Sequence, residues 1–281
     1  MTTLPPIPEK MSGWRLFLMT IAGRAYPRLI GMQREKSWLF FDVFLPMLGV
    51  AGYVLVYRAL QAPEDYVGFV VVGGAMTAFW MNILWSMSSQ LYWEKETGNL
   101  ALYIIAPGPM MSILLGMALG GLVSTALRAG VIILLGSLLF NVHYVVVSLP
   151  MLLGVFFIAM VALYGMGMAT ASIFLLLSRE AWHIANLAQE PIFFVSGFYF
   201  PIKNFPFWVA AAASILPLTL GLDAMRQLAF ATGPSLGFLS PVIELLILVG
   251  LAAVFLLAAR FLLGYMERLA VREGRLTESR R

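Results

Sequence analysis

The chain has 281 residues, 61% of them apolar and 11% charged, with a net charge of +4; a soluble domain carries about 45–50% apolar and about 25% charged residues. Charge is absent for 28 positions at 66–93, 31 at 97–127 and 50 at 129–178. Each run exceeds the roughly 20 residues that a spanning helix needs, so the sequence describes an all-α polytopic membrane protein. The longest hydrophilic stretch is the 37-residue N-terminal segment, which leaves no room for a soluble catalytic domain of about 100 residues. Any soluble chemistry belongs to another chain, and no catalytic residue is assigned. The absence of cysteine excludes disulfides and thiolate ligands, and the two separated histidines argue against a metal site. Lysine and arginine gather at the chain ends, where they report membrane orientation rather than a nucleic-acid partner. Residues 1–10 hold three prolines and no apolar h-region, so no cleavable signal peptide is expected.

Residues 12–36 mix Trp14, Leu16, Phe17, Leu18 and Ile21 with Arg15, Arg24, Arg28 and Arg34. This pattern predicts a helix lying in the cytoplasmic interface, with its apolar side in lipid and its cations at headgroups, kinked or divided at Pro27. Residues 1–37 form a cytoplasmic N-terminal segment, 38–264 the membrane domain and 265–281 a cytoplasmic basic tail. Charge-free runs predict six transmembrane helices, at about 38–58, 67–91, 112–140, 148–177, 181–200 and 240–263. This frame puts 14 basic residues on the side of both termini and 3 (Arg58, Lys203, Arg226) on the other, so both termini face the cytoplasm. Residues 204–222 lack charge, yet Pro206, Pro217 and Gly221 divide them. Short pieces at about 207–216 and 218–230 fit a re-entrant hairpin, within about 201–233, dipping in from the outer face.

The loop after the second span reads Y-W-E-K-E-T-G-N-L-A-L-Y-I-I-A-P-G-P over residues 92–109. Two acids end one helix, Gly98 permits a sharp turn, and a short apolar helix follows until the prolines stop it. Such a helix at the cytoplasmic face calls for a partner. A second cluster reads S-G-F-Y-F-P at 196–201, F-P-F-W at 205–208, L-P-L-T at 216–219 and A-M-R at 224–226. Together these elements resemble the type-2 ABC transporter permease family, in its drug- and antibiotic-exporter-like branch. Glu94, Lys95, Glu96, Gly98, Leu100 and Pro107 match the first family element, while Asn99 and Ala101 depart from its usual Thr and Glu.

The resemblance implies a permease that pairs with a second permease chain, as a homodimer, and with two separate ATP-binding subunits. Those subunits would hold ATP and magnesium, with no cofactor on this chain, which has no G-x-x-x-x-G-K-S/T phosphate loop. It further implies that Glu94, Glu96, Gly98, Leu100, Tyr103, Ile104 and Pro107 couple to the ATPase, with Leu100, Tyr103 and Ile104 buried by it. The other reading of Glu94 and Glu96 is a solvated helix end. Gly197, Phe200, Pro201, Pro206, Trp208 and Pro217 belong to the re-entrant outer gate that the family builds.

Arg128 lies alone inside the third span, where an arginine costs at least about 2.5–3.5 kcal/mol unless protein or water receives it. Counting along the spans favours Glu244 as its partner, then Glu190, then a water-lined cavity; structural pairing and substrate contact both remain open. Asp42 sits near a span end and is assigned no chemistry. His143 and His183 lack a ligand partner at helical spacing, and Gly116 with Gly120 has the spacing that brings helices close. The expected function is ATP-driven export of a hydrophobic or amphipathic compound (drug, antibiotic or lipid) across the cell membrane. The alternatives are a carbohydrate-exporting permease of the same superfamily and an ion-coupled secondary transporter with Arg128, Glu190 and Glu244 as relays. The chain shows no internal repeat of the kind many secondary transporters carry.

Overall fold

The computed structural model describes residues 13–34, 36–106, 108–177 and 179–273. The helices are, in chain order, α1 (Trp14–Arg34), α2 (Lys36–Ala59), α3 (Asp65–Asn82), α4 (Gln90–Glu96), α5 (Asn99–Ile105) and α6 (Met110–Phe140). They continue as α7 (Leu149–Leu177), α8 (Arg179–Val195), α9 (Phe207–Ala213), α10 (Pro217–Ala229), α11 (Gly233–Leu236) and α12 (Pro241–Glu273). A π turn, Ile83–Met87, leads from α3 toward α4, and a 3-10 turn, Ile202–Asn204, precedes α9. The protein is an all-α polytopic membrane protein. Among the described residues five segments are long and apolar enough to cross a membrane: Phe40–Ala59, Asp65–Glu96, Met110–Phe140, Leu149–Leu177 and Pro241–Leu269.

The segment expected to span at 181–200 is shorter than that. Helix α8 has 17 residues, a rise of about 26 Å against a hydrocarbon core of about 30 Å. It stops at Val195 because the chain turns at Gly197, where φ is +73° and a Cβ would lie 2.4 Å from the Ile202 side chain. A left-handed backbone in so little space selects glycine. The hairpin expected before the last span is present as α9 and α10, bent by 109° with Pro217 opening the second helix. Helix α12 continues past its expected end near 263 to Glu273, and the Glu267 carboxylate accepts a 3.1 Å hydrogen bond from the Met110 amide at the head of α6.

The core gathers around α3: 83% of its apolar window is buried, against 11% for α2. Helix α7 packs along α12 and α10, while α6 packs along α1 and α3. Helix α2 leaves Phe40, Phe44 and Leu48 exposed on its outer side. Helix α10 is buried on every side, from Pro217 through Ala229, so Asp223, Arg226 and Gln227 on it must find partners within the protein.

Helix α1 differs from the expected interfacial helix in two respects. It runs unbroken through Pro27, and it lies against α6 instead of giving its whole inner face to lipid. Contact is close because α6 carries glycine there: a Cβ on Gly116 would meet the Ile21 carbonyl oxygen at 2.5 Å, and one on Gly120 the Ala25 carbonyl oxygen at 2.8 Å. The small-residue spacing of α6 therefore serves packing within one chain.

Candidate functional site

A cavity of about 570 Å³ opens between α2, α3, α6 and α8. Helix α2 supplies Phe41, Asp42, Leu45 and Pro46, and α3 supplies Thr77, Ala78, Met81 and Asn82. Trp85 and Ser86 reach the cavity from the π turn, Arg128 from α6, Phe193 from α8, and Tyr199 from the turn that follows. A π turn inserts one residue into the helical repeat and re-aims the side chains beyond it, which is why such turns gather at functional sites. Trp85 is fixed there on two sides: its Nε1 donates to Gln189 Oε1 at 3.1 Å, and its ring stacks on Trp182 with centroids 5.2 Å apart.

A chain of polar groups crosses the bundle behind this wall. Arg128 donates to the Asp42 carboxylate, to Thr125 Oγ1 at 3.1 Å and to the Ser124 carbonyl at 3.4 Å. Thr125 is hydrogen-bonded to Tyr164, whose hydroxyl donates to Asn82 Oδ1 at 3.0 Å. The ranking of Glu244 and Glu190 as partners of Arg128 is thereby corrected: the ion pair is with Asp42, and Arg128 also lines the cavity. Glu190 is exposed on α8, and Glu244 lies buried at the hairpin end of the bundle. The reason is register: counting residues along one span gives a depth on that span alone, and which carboxylate lies opposite Arg128 depends on how α2 is set against α6. Helix α2 runs parallel to α6, with Arg58 donating to the Phe140 carbonyl at one end and Asp42 meeting Arg128 toward the other.

At the α4–α5 end, Gly98 holds the corner with φ at +78°. Glu94 is buried: it accepts from Gln90 Nε2 at 2.7 Å and lies 3.9 Å from Arg24. Arg28 donates to Gln90 Oε1 at 2.7 Å, and the Arg24 guanidinium stands 4.3 Å over the Tyr103 ring. Two arginines expected at headgroups thus brace α4 and α5 onto α1. Leu100 is 1% exposed and packs within the chain, with Tyr103 and Ile104 half-buried beside it. Leu100 is therefore enclosed by the chain itself, which corrects its expected burial by a partner, while Tyr103 and Ile104 each keep part of their surface exposed. The outward face carries Trp93, Glu96, Leu102 and Ile105, the last 77% exposed. Two faces of one short helix have the same composition here, so composition alone could not tell them apart. Pro107 lies outside the described residues.

At the hairpin end, Arg226 is completely enclosed and donates to the carbonyls of Phe69, Gly197 and Phe198. It joins α10 to α3 and to the turn after α8, and its reading as an outer topology charge misses this role. The three-residue A-M-R element carried the signal. Pro201 is buried ahead of the 3-10 turn, Pro206 caps α9, Pro217 starts α10, and Phe200 packs edge-on with Phe194 and Phe205. Trp208 is 71% exposed. Glu244 accepts from the Leu239 amide at 3.3 Å and shares Gln227 Nε2 with Asp223, at 3.4 and 3.0 Å. No group of three metal-ligating side chains occurs among the described residues.

The sequence model of the ABC-2 type transporter family matches residues 28–230. No curated protein sequence matches the chain. The matched region begins within α1 and ends just after α10, so it contains the cavity, the α4–α5 corner and the Arg226 hub, and it covers more than two thirds of the chain. The chain belongs to the ABC-2 type transporter family, as the membrane permease subunit of an ABC transporter.

Proposed function

We propose that this permease exports a hydrophobic or amphipathic compound from the cell, driven by ATP hydrolysed on separate subunits that dock on the α4–α5 corner. The observation that carries the reading is the outward face of that corner. Trp93, Leu102 and Ile105 are exposed at the end of the bundle where Glu267 of α12 meets the Met110 amide, and an apolar patch of this kind on a helix corner suits a docking partner. The corner is braced to α1 through Arg24 and Arg28 and continues through the π turn to Trp85 in the cavity wall. A push on α4 and α5 would therefore reach the cavity through packed helix. A second copy of the chain completes the transporter, both termini face the cytoplasm of the cell membrane, and the α9–α10 hairpin re-enters from the outer side. ATP and magnesium belong to the partner subunits.

The test is coexpression with the ATP-binding subunit and reconstitution of the complex in vesicles. ATP-dependent loading of an amphipathic fluorescent probe is expected, and it should be abolished by Leu102→Asp with Ile105→Asp while the permease still inserts. Retention of the ATP-binding subunit and of transport in that double variant would overturn the docking assignment.

A further inference from the structure

We propose that the cavity takes a cationic amphiphile, an organic cation on an aromatic body, with the Asp42 carboxylate as its counter-ion. The proposal rests on the export reading above and adds the charge of the compound. Two charged side chains line the cavity, Asp42 and Arg128, and they are not equally available. The Arg128 side chain is 11% exposed and donates to three acceptors, whereas the Asp42 side chain is 38% exposed. Arg128 reaches Oδ2 of Asp42, and a carboxylate has about four acceptor positions. What an entering molecule meets is therefore a carboxylate already held in place by an arginine behind it.

The rest of the lining suits the same ligand. Phe41, Trp85, Phe193 and Tyr199 surround the space, and aromatic faces attract organic cations through the negative face of the ring. The other nearby cation, Arg28, is outside the lining and donates to Gln90. An anionic amphiphile would have to compete with Asp42 for Arg128, whose side chain is 11% exposed and already donates to three acceptors. A volume of about 570 Å³ lies in the range of pockets that enclose a drug-sized molecule, about 300–1,000 Å³.

Tetraphenylphosphonium and tetraphenylborate are nearly identical in size and opposite in charge, so they isolate the charge preference. Saturable binding of each to the purified permease is measured by equilibrium dialysis against a detergent-only blank. The wild type is expected to bind the phosphonium about 10-fold or more tighter than the borate. Asp42→Asn should lose about 10-fold in phosphonium affinity and gain borate affinity as Arg128 is uncovered. The paired variant Asp42→Asn with Arg128→Gln removes the orphaned charge, keeps the fold measurable, and should bind both ions alike. Trp85→Ala should weaken the phosphonium. Equal binding of the two ions by the wild type, or an unchanged phosphonium affinity in both Asp42 variants, would overturn the proposal. Absence of saturable binding for either ion overturns it too, and the export reading is then judged separately by ATP-dependent transport and by retention of the ATP-binding subunit.

Discussion

Gly73 on α3 and Arg226 on α10 fill complementary space: a Cβ on Gly73 would lie 2.8 Å from the Arg226 guanidinium and 1.6 Å from the Phe198 carbonyl oxygen it binds. The absence of a side chain at position 73 is what lets three carbonyls converge on one fork. Lysine carries its three N–H donors on one nitrogen, whereas Arg226 meets these carbonyls from two nitrogens of a planar fork, so lysine does not reproduce the arrangement. Arg226→Ala should destabilise the permease by about 3–5 kcal/mol through the buried carbonyls left unpaired, and Arg226→Lys should recover only part. Gly73→Ala should be comparably damaging, although a methyl group is all it adds. The measurement is the fraction of monodisperse protein after heating in detergent; wild-type stability in Gly73→Ala would refute this packing.

The two faces of α5 separate a folding role from a docking role. Leu100→Ala removes a side chain enclosed by the chain itself and should cost about 2–5 kcal/mol of permease stability. Leu102→Asp or Ile105→Asp should leave stability unchanged and weaken retention of the ATP-binding subunit about 10-fold or more, as loss of an apolar anchor does. Gly98→Val should strain the corner by about 1–3 kcal/mol and impair coupling before retention. The comparison uses thermal stability of the isolated permease beside copurification of the complex, and a reversed assignment of Leu100 and Ile105 would sink the separation.

Some of this was legible in the sequence and some was not, for physical reasons. Pro206, Pro217 and Gly197 announce the hairpin and the turn after α8, because each fixes the local backbone whatever packs around it. The long spans follow from charge-free length. Arg128 is different: its presence in a span demands a partner, but the choice of Asp42 depends on the register of α2 against α6, which hydropathy does not encode. Arg24 and Arg28 fit an interfacial pattern equally well whether they point to headgroups or to Gln90 and Glu94. Trp85 and Ser86 reach the cavity through a π turn that no residue in the sequence marks.

Sidedness can be read with single cysteines, since the chain has none of its own. Asn99 is exposed at the α4–α5 corner and Ser235 is exposed in α11, at the hairpin end. With both termini cytoplasmic, Asn99→Cys should react with a membrane-impermeant maleimide only in opened cells, and Ser235→Cys in intact ones. Arg226 is enclosed, so the charge asymmetry that sets this orientation loses one of its outer cations and grows stronger. Labelling of Asn99→Cys from outside would invert the topology and with it the docking assignment.

The last prediction concerns Glu244, which the structure removes from Arg128 and places beside Asp223. The two carboxyl groups share the Gln227 amide, whose Nε2 lies 3.0 Å from Asp223 Oδ2 and 3.4 Å from Glu244 Oε2. Asp223 Oδ2 also accepts from the Phe238 amide at 2.8 Å. Glu244 also holds the Leu239 amide at 3.3 Å. This fastens the hairpin helix α10 to the loop that opens α12. Glutamine at position 244 offers an N–H toward Asp223 and a carbonyl oxygen toward Leu239, so Glu244→Gln should stay within about 1 kcal/mol of the wild type. Glu244→Ala leaves those partners unsatisfied beside a void and should cost about 2–5 kcal/mol. Asparagine at position 223 keeps one carbonyl oxygen for the two N–H groups that Asp223 Oδ2 receives, so Asp223→Asn should be as mild as Glu244→Gln. Thermal unfolding of the four proteins, side by side at neutral pH, decides the matter: a loss in Glu244→Gln or Asp223→Asn as large as that in Glu244→Ala would show that these hydrogen bonds are not what fastens the hairpin to α12.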